Sequence, residues 1–310
     1  MWVAPPRDAA SFSVWFERSI AAAKIAARRI GLLVVAGWLL LGVAVWASAV
    51  STFDGDRGRE LRRILDVERN TFGGSQVAEL TDAEADRAWE LIQDMFWSAL
   101  PWMILLGAMF VVVSAWSIAL AVRAMQSRRA APHLGEQVAD PLGAVIGGAV
   151  RRLPAVIGSG LVLFLVVAGV WAVASLPVVV VATVGGGGAA IVLTAVFVGL
   201  AVVTVTAWLS VRLSLAPVIA AIGDHGIGVR RSWNLTRGQF WYAAGRLIIT
   251  GLIAGAASGV INSVTGFGQL LGFAVYLAIV CALQAVAAAA SVVITAAGHL
   301  VTVDQLDARR

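Results

Sequence analysis

Charge is scarce in this chain. Asp, Glu, Lys and Arg make up 13% of the 310 residues, while hydrophobic residues make up 60%. Ordinary soluble domains carry about a quarter charged residues, so this composition points to lipid as the natural solvent. Cysteine is nearly absent: Cys281 stands alone inside an apolar run, which excludes a disulfide framework and any cysteine-based zinc site. Lysine occurs once, at Lys24, and no Gly-x-x-x-x-Gly-Lys stretch exists to cradle a nucleotide phosphate. The three histidines, His133, His225 and His299, lie in separate segments without the paired spacing of a metal site. No acid, base or metal set is evident, so no catalytic residue, metal or cofactor is expected and the chain reads as a non-enzyme.

What the chain does have is long apolar runs. Crossing about 30 Å of hydrocarbon takes about 20 apolar residues, and six runs qualify: 30–50, 95–122, 155–176, 188–211, 247–264 and 270–298. The expected fold is therefore all-α, a polytopic membrane bundle of about six helices in a single domain over 1–310. Interfacial amphipathic helices are expected at 9–29, 140–153 and 226–246, and a helical outer loop at 51–94. Ala47-Ser48-Ala49 resembles a signal-peptidase site, but the basic region before it is long and amphipathic, so the first span reads as retained.

Charge distribution sets the expected orientation. With both termini inside, the inner segments hold 17 of the 23 Lys and Arg and seven of the 18 acids, net +10. The outer loop 51–94 holds six Arg and eleven acids, net −5. That is the positive-inside pattern of a multi-pass protein with cytoplasmic termini, and its basic residues flank spans rather than forming a stripe for nucleic acid. Abundant Ala, Val, Gly and Arg beside one Lys fits a GC-rich bacterial genome, and hence an inner, or plasma, membrane.

Within the outer loop, Leu61, Ile64 and Leu65 share a helical face, and Thr81 starts a capping-box spacing before a helix that runs into the second span. A threefold repeat is also suggested. The basic segments ending Arg28-Arg29-Ile30-Gly31 and Arg151-Arg152-Leu153-Pro154, and the segment 226–246, each precede an apolar hairpin. Each unit would lay one helix along the inner surface, then send two across and back. Shared composition accounts for the likeness as readily as ancestry does.

Polar residues within spans are few. Gln284, Ser291, Thr295 and Asn262 are candidates either for interhelical hydrogen bonds or for a polar path. Gly251, Gly255 and Gly259 recur at intervals of four, a spacing that lets a helix of the same bundle, or of a second subunit, approach closely.

The densest signal is Arg230 to Trp241, RRSWNLTRGQFW. As a continuous helix it would align Trp233, Arg237 and Trp241, widened by Phe240, with Arg230 and Arg231 toward water. Arg237 would lie between two indoles or pair with a lipid phosphate. Alternatively, Gly238 breaks the helix after Thr236–Arg237 and a new one starts at Gln239. Trp15, in the first amphipathic segment, is expected to be a further interface anchor.

Residues 212–247, with Leu215-Ala216-Pro217 and then Ser232-Trp233-x-Leu235-Thr236-x-Gly238-x-Phe240-Trp241, carry a resemblance. They are similar to a segment of the membrane domain found in some glycerophosphodiester phosphodiesterases and in related stand-alone bacterial multi-span proteins. The resemblance implies membrane residence and work near glycerolipids. No segment here could form the catalytic barrel, so hydrolase activity is not implied. The expected function is a non-catalytic scaffold or accessory protein that engages membrane lipids or protein partners at the inner surface. A transporter or lipid-translocating protein is the alternative.

Overall fold

A computed structural model describes residues 11–53, 56–71, 82–126, 141–183, 188–223, 228–265 and 273–309. Among these residues there is no strand, and the helices run α1 (Phe12–Phe53), α2 (Asp56–Thr71), α3 (Asp82–Gln126), α4 (Leu142–Thr183), α5 (Gly188–Leu213), α6 (Ala216–Ile222), α7 (Val229–Thr236), α8 (Phe240–Thr265) and α9 (Phe273–Ala308). Five stretches are long and apolar enough to cross a membrane: Phe12–Thr52, Ala83–Gln126, Leu142–Val181, Ile191–Ile222 and Val275–Ala308, with Phe240–Ala256 a shorter apolar helix. The chain is an all-α, polytopic membrane protein. Thr81, His133, His225 and the glycines 185–187 lie outside the described residues, as do the side chains of Leu65 and Asn262 and the surroundings of Gly259.

Two of the expected surface helices are not separate elements. Residues 9–29 and 30–50 were expected to meet at a bend, but from Phe12 onward they form the single helix α1. Likewise 140–153 and 155–176 merge into α4, which carries Pro154 and Pro177 inside it. In α1 the junction offers only Gly31 as a breaker, and one internal glycine costs only about 1 kcal/mol. Each helix has 42 residues, a rise of about 63 Å and roughly twice the hydrocarbon thickness. The third segment, 226–246, does break, as the alternative at Gly238 foresaw. Within 51–94 lies α2, and α3 then runs without interruption through Pro101 into its apolar half.

The chain forms two compact units, and α1, α3, α8 and α9 contribute to both. The first comprises Met1–Val34, Ser114–Ser258 and Ala289–Arg310. Its core includes Leu215, Ile219, Leu235, Ala243, Val303 and Leu306, from α6 to α9. Trp15 belongs to this core rather than to a lipid-facing surface: it is 1% exposed and its indole Nε1 donates to Thr302 Oγ1 at 3.1 Å. The Trp15→Ala variant is therefore expected to lose about 3–5 kcal/mol of stability, as buried aromatic truncations do. Thermal unfolding in one detergent would check this, and a loss under about 1 kcal/mol, the scale of a surface position, would contradict it.

Helix α8 packs through a neighbouring face to the one its glycines suggested. Among the described residues no atom lies within 4 Å of where a Cβ would stand on Gly251 or Gly255, so these two do not pack against any described element. One residue earlier along α8, about 100° around the helix, Thr250 and Ala254 are buried against α9. Ser291 Oγ donates to the Ala254 carbonyl at 3.1 Å. The close-approach glycine is Gly298, whose Cβ would stand 2.6 Å from Thr250 Oγ1.

The second unit comprises Val35–Val113 and Gly259–Ala288. Here α1 meets α9 at Gly42, where a Cβ would stand 3.0 Å from the Cys281 carbonyl oxygen. Trp38 meets Phe110 edge-on at 5.4 Å. Arg87 bridges to Glu60 at 3.1 Å and Arg57 to Asp94 at 3.7 Å, which ties α2 to the start of α3. These pairs are exposed, so packing of Leu91 and Met95, both buried, contributes more. Gln284 is exposed in this unit, whereas Ser291 and Thr295 are half-buried in the first.

Candidate interfacial site

Four backbone devices shape residues 208–247. Pro217 follows the turn at Ser214–Leu215 and sits in the first turn of α6, where its missing N–H is harmless. Gly223 (φ +99°) closes α6 in the left-handed region. Gly228 (φ +71°) then starts α7 against α6, so close that an added Cβ would strike the Ala216 carbonyl oxygen and stand 3.0 Å from the Ala220 nitrogen. Gly238 (φ +81°) supplies the third left-handed turn, between Arg237 in an extended conformation and the start of α8.

The short α7 is held by Ser232 and Thr236, both fully buried. Ser232 Oγ donates to the Arg212 carbonyl at 2.6 Å, and Thr236 Oγ1 donates to the Ser232 carbonyl at 3.0 Å. Arg212 Nη1 in turn donates to Thr236 Oγ1 at 3.3 Å. These bonds place the Arg212 guanidinium 5.4 Å from the Trp208 ring centre, 5.3 Å from Trp233 and 5.8 Å from Phe240. Trp208 and Trp233 meet edge-to-face at 5.2 Å. A cation beside several aromatic faces gains about 0.5–2 kcal/mol per contact, more where water is excluded.

Arg212 thus takes the place among aromatic rings that spacing assigned to Arg237, which is exposed beyond the end of α7. Trp233 is 37% exposed, and Trp241 is 83% exposed while touching Phe240 edge-on at 5.2 Å. Phe240 is half-buried and Arg230 exposed. Arg231 is committed to an ion pair with Asp307 at 2.6 Å, which fastens α7 to the end of α9. Trp15 is not part of this surface.

A second cation-containing cluster lies in the same unit. Arg246, only 6% exposed, donates from Nε to Gln305 Oε1 at 3.1 Å. Tyr242 Oη donates to the same oxygen at 2.9 Å. The guanidinium carbons of Arg246 and Arg309 lie 3.4 and 3.5 Å from the Tyr242 ring centre, which places them on opposite faces of the ring. Arg246 is also 5.7 Å from the Trp15 ring centre. Sequence reasoning missed this cluster. The available signal was Tyr242 four residues before Arg246, a spacing that puts both on one helical face.

Compared with known proteins, the chain matches no family model, no curated protein and no solved structure. Its chemistry must be read from its own side chains. Among the described residues no three His, Cys, Asp or Glu side chains gather into a possible metal site. The aromatic and guanidinium groups brought together here bind by stacking, by charge and by donating hydrogen bonds.

Proposed function

We propose that this protein is a non-catalytic membrane scaffold or accessory protein, and that the face formed by α7 and the start of α8 sits in the headgroup layer of the cytoplasmic leaflet. The observation that carries this reading is Trp241, 83% exposed and edge-on to Phe240, which is one of the rings around Arg212. An indole in water exposes a large apolar body, whereas at the membrane interface that body meets acyl carbon and its N–H meets water and headgroups. Arg230 and Arg237, both exposed in the same segment, supply positive charge toward anionic lipid. The excess of basic residues in the segments that contain this face supports a cytoplasmic placement. The likeness of residues 212–247 to the glycerophosphodiester phosphodiesterase membrane domain is consistent with work near glycerolipids.

The test uses the lone native cysteine. In a Cys281→Ala background, Trp241→Cys is labelled with a fluorophore and the full chain placed in bilayers of brominated lipid. Quenching is expected to be strongest when the bromines lie just below the headgroups. A label that no brominated lipid quenches would place the residue in water or in protein, and the interfacial reading would fail.

A further inference from the structure

The ends of α3 and α4 enclose a recess of about 690 Å³, lined by Arg123, Arg151 and Arg152 and floored by Gly143, Ala144, Gly147 and Gly148. Among the described residues its lining includes three cations and no acid. The glycines make the space. Among the described residues nothing lies within 4 Å of a Cβ built on Gly143 or Gly147, while one on Gly148 would stand 3.4 Å from Arg123 Nε. That Nε is buried and has no hydrogen-bond partner among the described residues, although a buried guanidinium N–H ordinarily finds an acceptor. Arg152 lines the recess while packing over Gly223 at the end of α6, with Nη2 2.5 Å from where its Cβ would stand. The recess also takes in the first turn of α4, where the helix dipole is positive.

The same helix carries a second cavity. Leu165, Val166, Gly169, Val170, Val173 and Ala174 of α4 line a wholly apolar groove of about 530 Å³ with Ala201, Val202 and Val205 of α5. Gly147, Gly148, Arg151 and Arg152 lie 18 residues before Leu165, Val166, Gly169 and Val170 respectively. Eighteen residues are five turns of an α-helix, so these positions share a side about 27 Å apart. A phosphate-bearing lipid has this order, an anionic group followed by a long apolar chain.

From this geometry we infer that Arg123, Arg151 and Arg152 bind the phosphate group of a membrane lipid, whose acyl chain follows α4 into the groove beside α5. Three guanidinium groups supply forked N–H donors for phosphate oxygens, and the free Arg123 Nε–H gains its acceptor. The inference rests on the proposal above that the α7–α8 face of the same unit meets the cytoplasmic leaflet, and it names the headgroup chemistry that leaflet would supply.

The test is thermal unfolding of the full chain in nanodiscs, with phosphatidylglycerol titrated into phosphatidylcholine. The wild type is expected to be stabilised by phosphatidylglycerol, and so is the Arg18→Gln/Arg28→Gln control, which removes two exposed charges elsewhere. The Arg123→Gln/Arg151→Gln/Arg152→Gln variant should need at least tenfold more anionic lipid for the same shift. Gly147→Leu, which fills the recess without changing charge, should lose the shift in the same way and keeps the test decisive if the triple variant does not fold. An undiminished phosphatidylglycerol response in Gly147→Leu would overturn the assignment. Millimolar inorganic phosphate in pure phosphatidylcholine discs should give no comparable protection. If it protects as well as phosphatidylglycerol does, the ligand is water-borne and the lipid assignment falls. A quenched label at 241 with an unchanged lipid response in the recess variants would sink this inference alone. An unquenched label with the responses lost would sink only the interfacial reading.

Discussion

Gly228→Ala is expected to be among the most damaging single substitutions in this chain. A left-handed backbone costs an L-residue about 1–2 kcal/mol, and here the added Cβ would also be driven into the Ala216 carbonyl oxygen. Relief requires α7 to move off α6, which disturbs the buried Leu215, Ile219 and Leu235 contacts. The total loss should reach about 3 kcal/mol or more. Gly238→Ala separates the two causes. Its φ of +81° is equally left-handed, yet no described atom lies within 4 Å of the added Cβ, so only the backbone cost of about 1–2 kcal/mol applies. Unfolding midpoints of the two variants in one detergent provide the comparison. Equal losses would show that the approach of α7 to α6 is not tight.

Gln305→Leu is the second large expected effect. Its Oε1 accepts from both Tyr242 Oη and Arg246 Nε, at 2.9 and 3.1 Å, in a site where Arg246 is 6% exposed. Removing the acceptor takes a hydrogen bond from a charged group and another from a phenol, which should cost about 2–4 kcal/mol. The Arg246→Leu/Gln305→Leu double variant removes that charge together with its acceptor. It should be less destabilised than the sum of the two single variants, with a coupling of about 1 kcal/mol or more. Additive losses in a double-mutant cycle would show that Gln305 does not serve Arg246.

The helical class and the long apolar elements were legible because lipid demands uninterrupted runs, and these runs are visible by eye. The break at Gly238 was legible as an alternative because glycine is the residue that enters the left-handed region without strain. What could not be read was which apolar surface faces protein and which faces lipid. In water, burial and polarity oppose each other, whereas in a membrane both sides of a helix are greasy. Trp15 illustrates this: a tryptophan on an amphipathic segment fits a lipid anchor and a bundle core equally well, and only the partner Thr302, 287 residues away, decides. The glycine spacing on α8 could not say which face packs within the chain for the same reason, since a shift of one residue turns that contact from Gly251 and Gly255 to Thr250 and Ala254. Arg212 escaped notice because Trp233 and Phe240 are its neighbours in space, 21 and 28 positions along the chain.

The unbroken course of α4 from Leu142 to Thr183 has a mechanical consequence. A helix about 63 Å long behaves as a lever: a tilt of about 5° about one end displaces the other by roughly 5 Å. Whatever grips the end bearing Arg151 and Arg152 therefore acts on α5 as well, because α4 and α5 line one groove. Had the chain bent at Arg152 and lain flat, that leverage would be absent. Pro154, which lacks the N–H that would brace the preceding turn, sits near the gripped end, where any flexing would set the angle of the long arm.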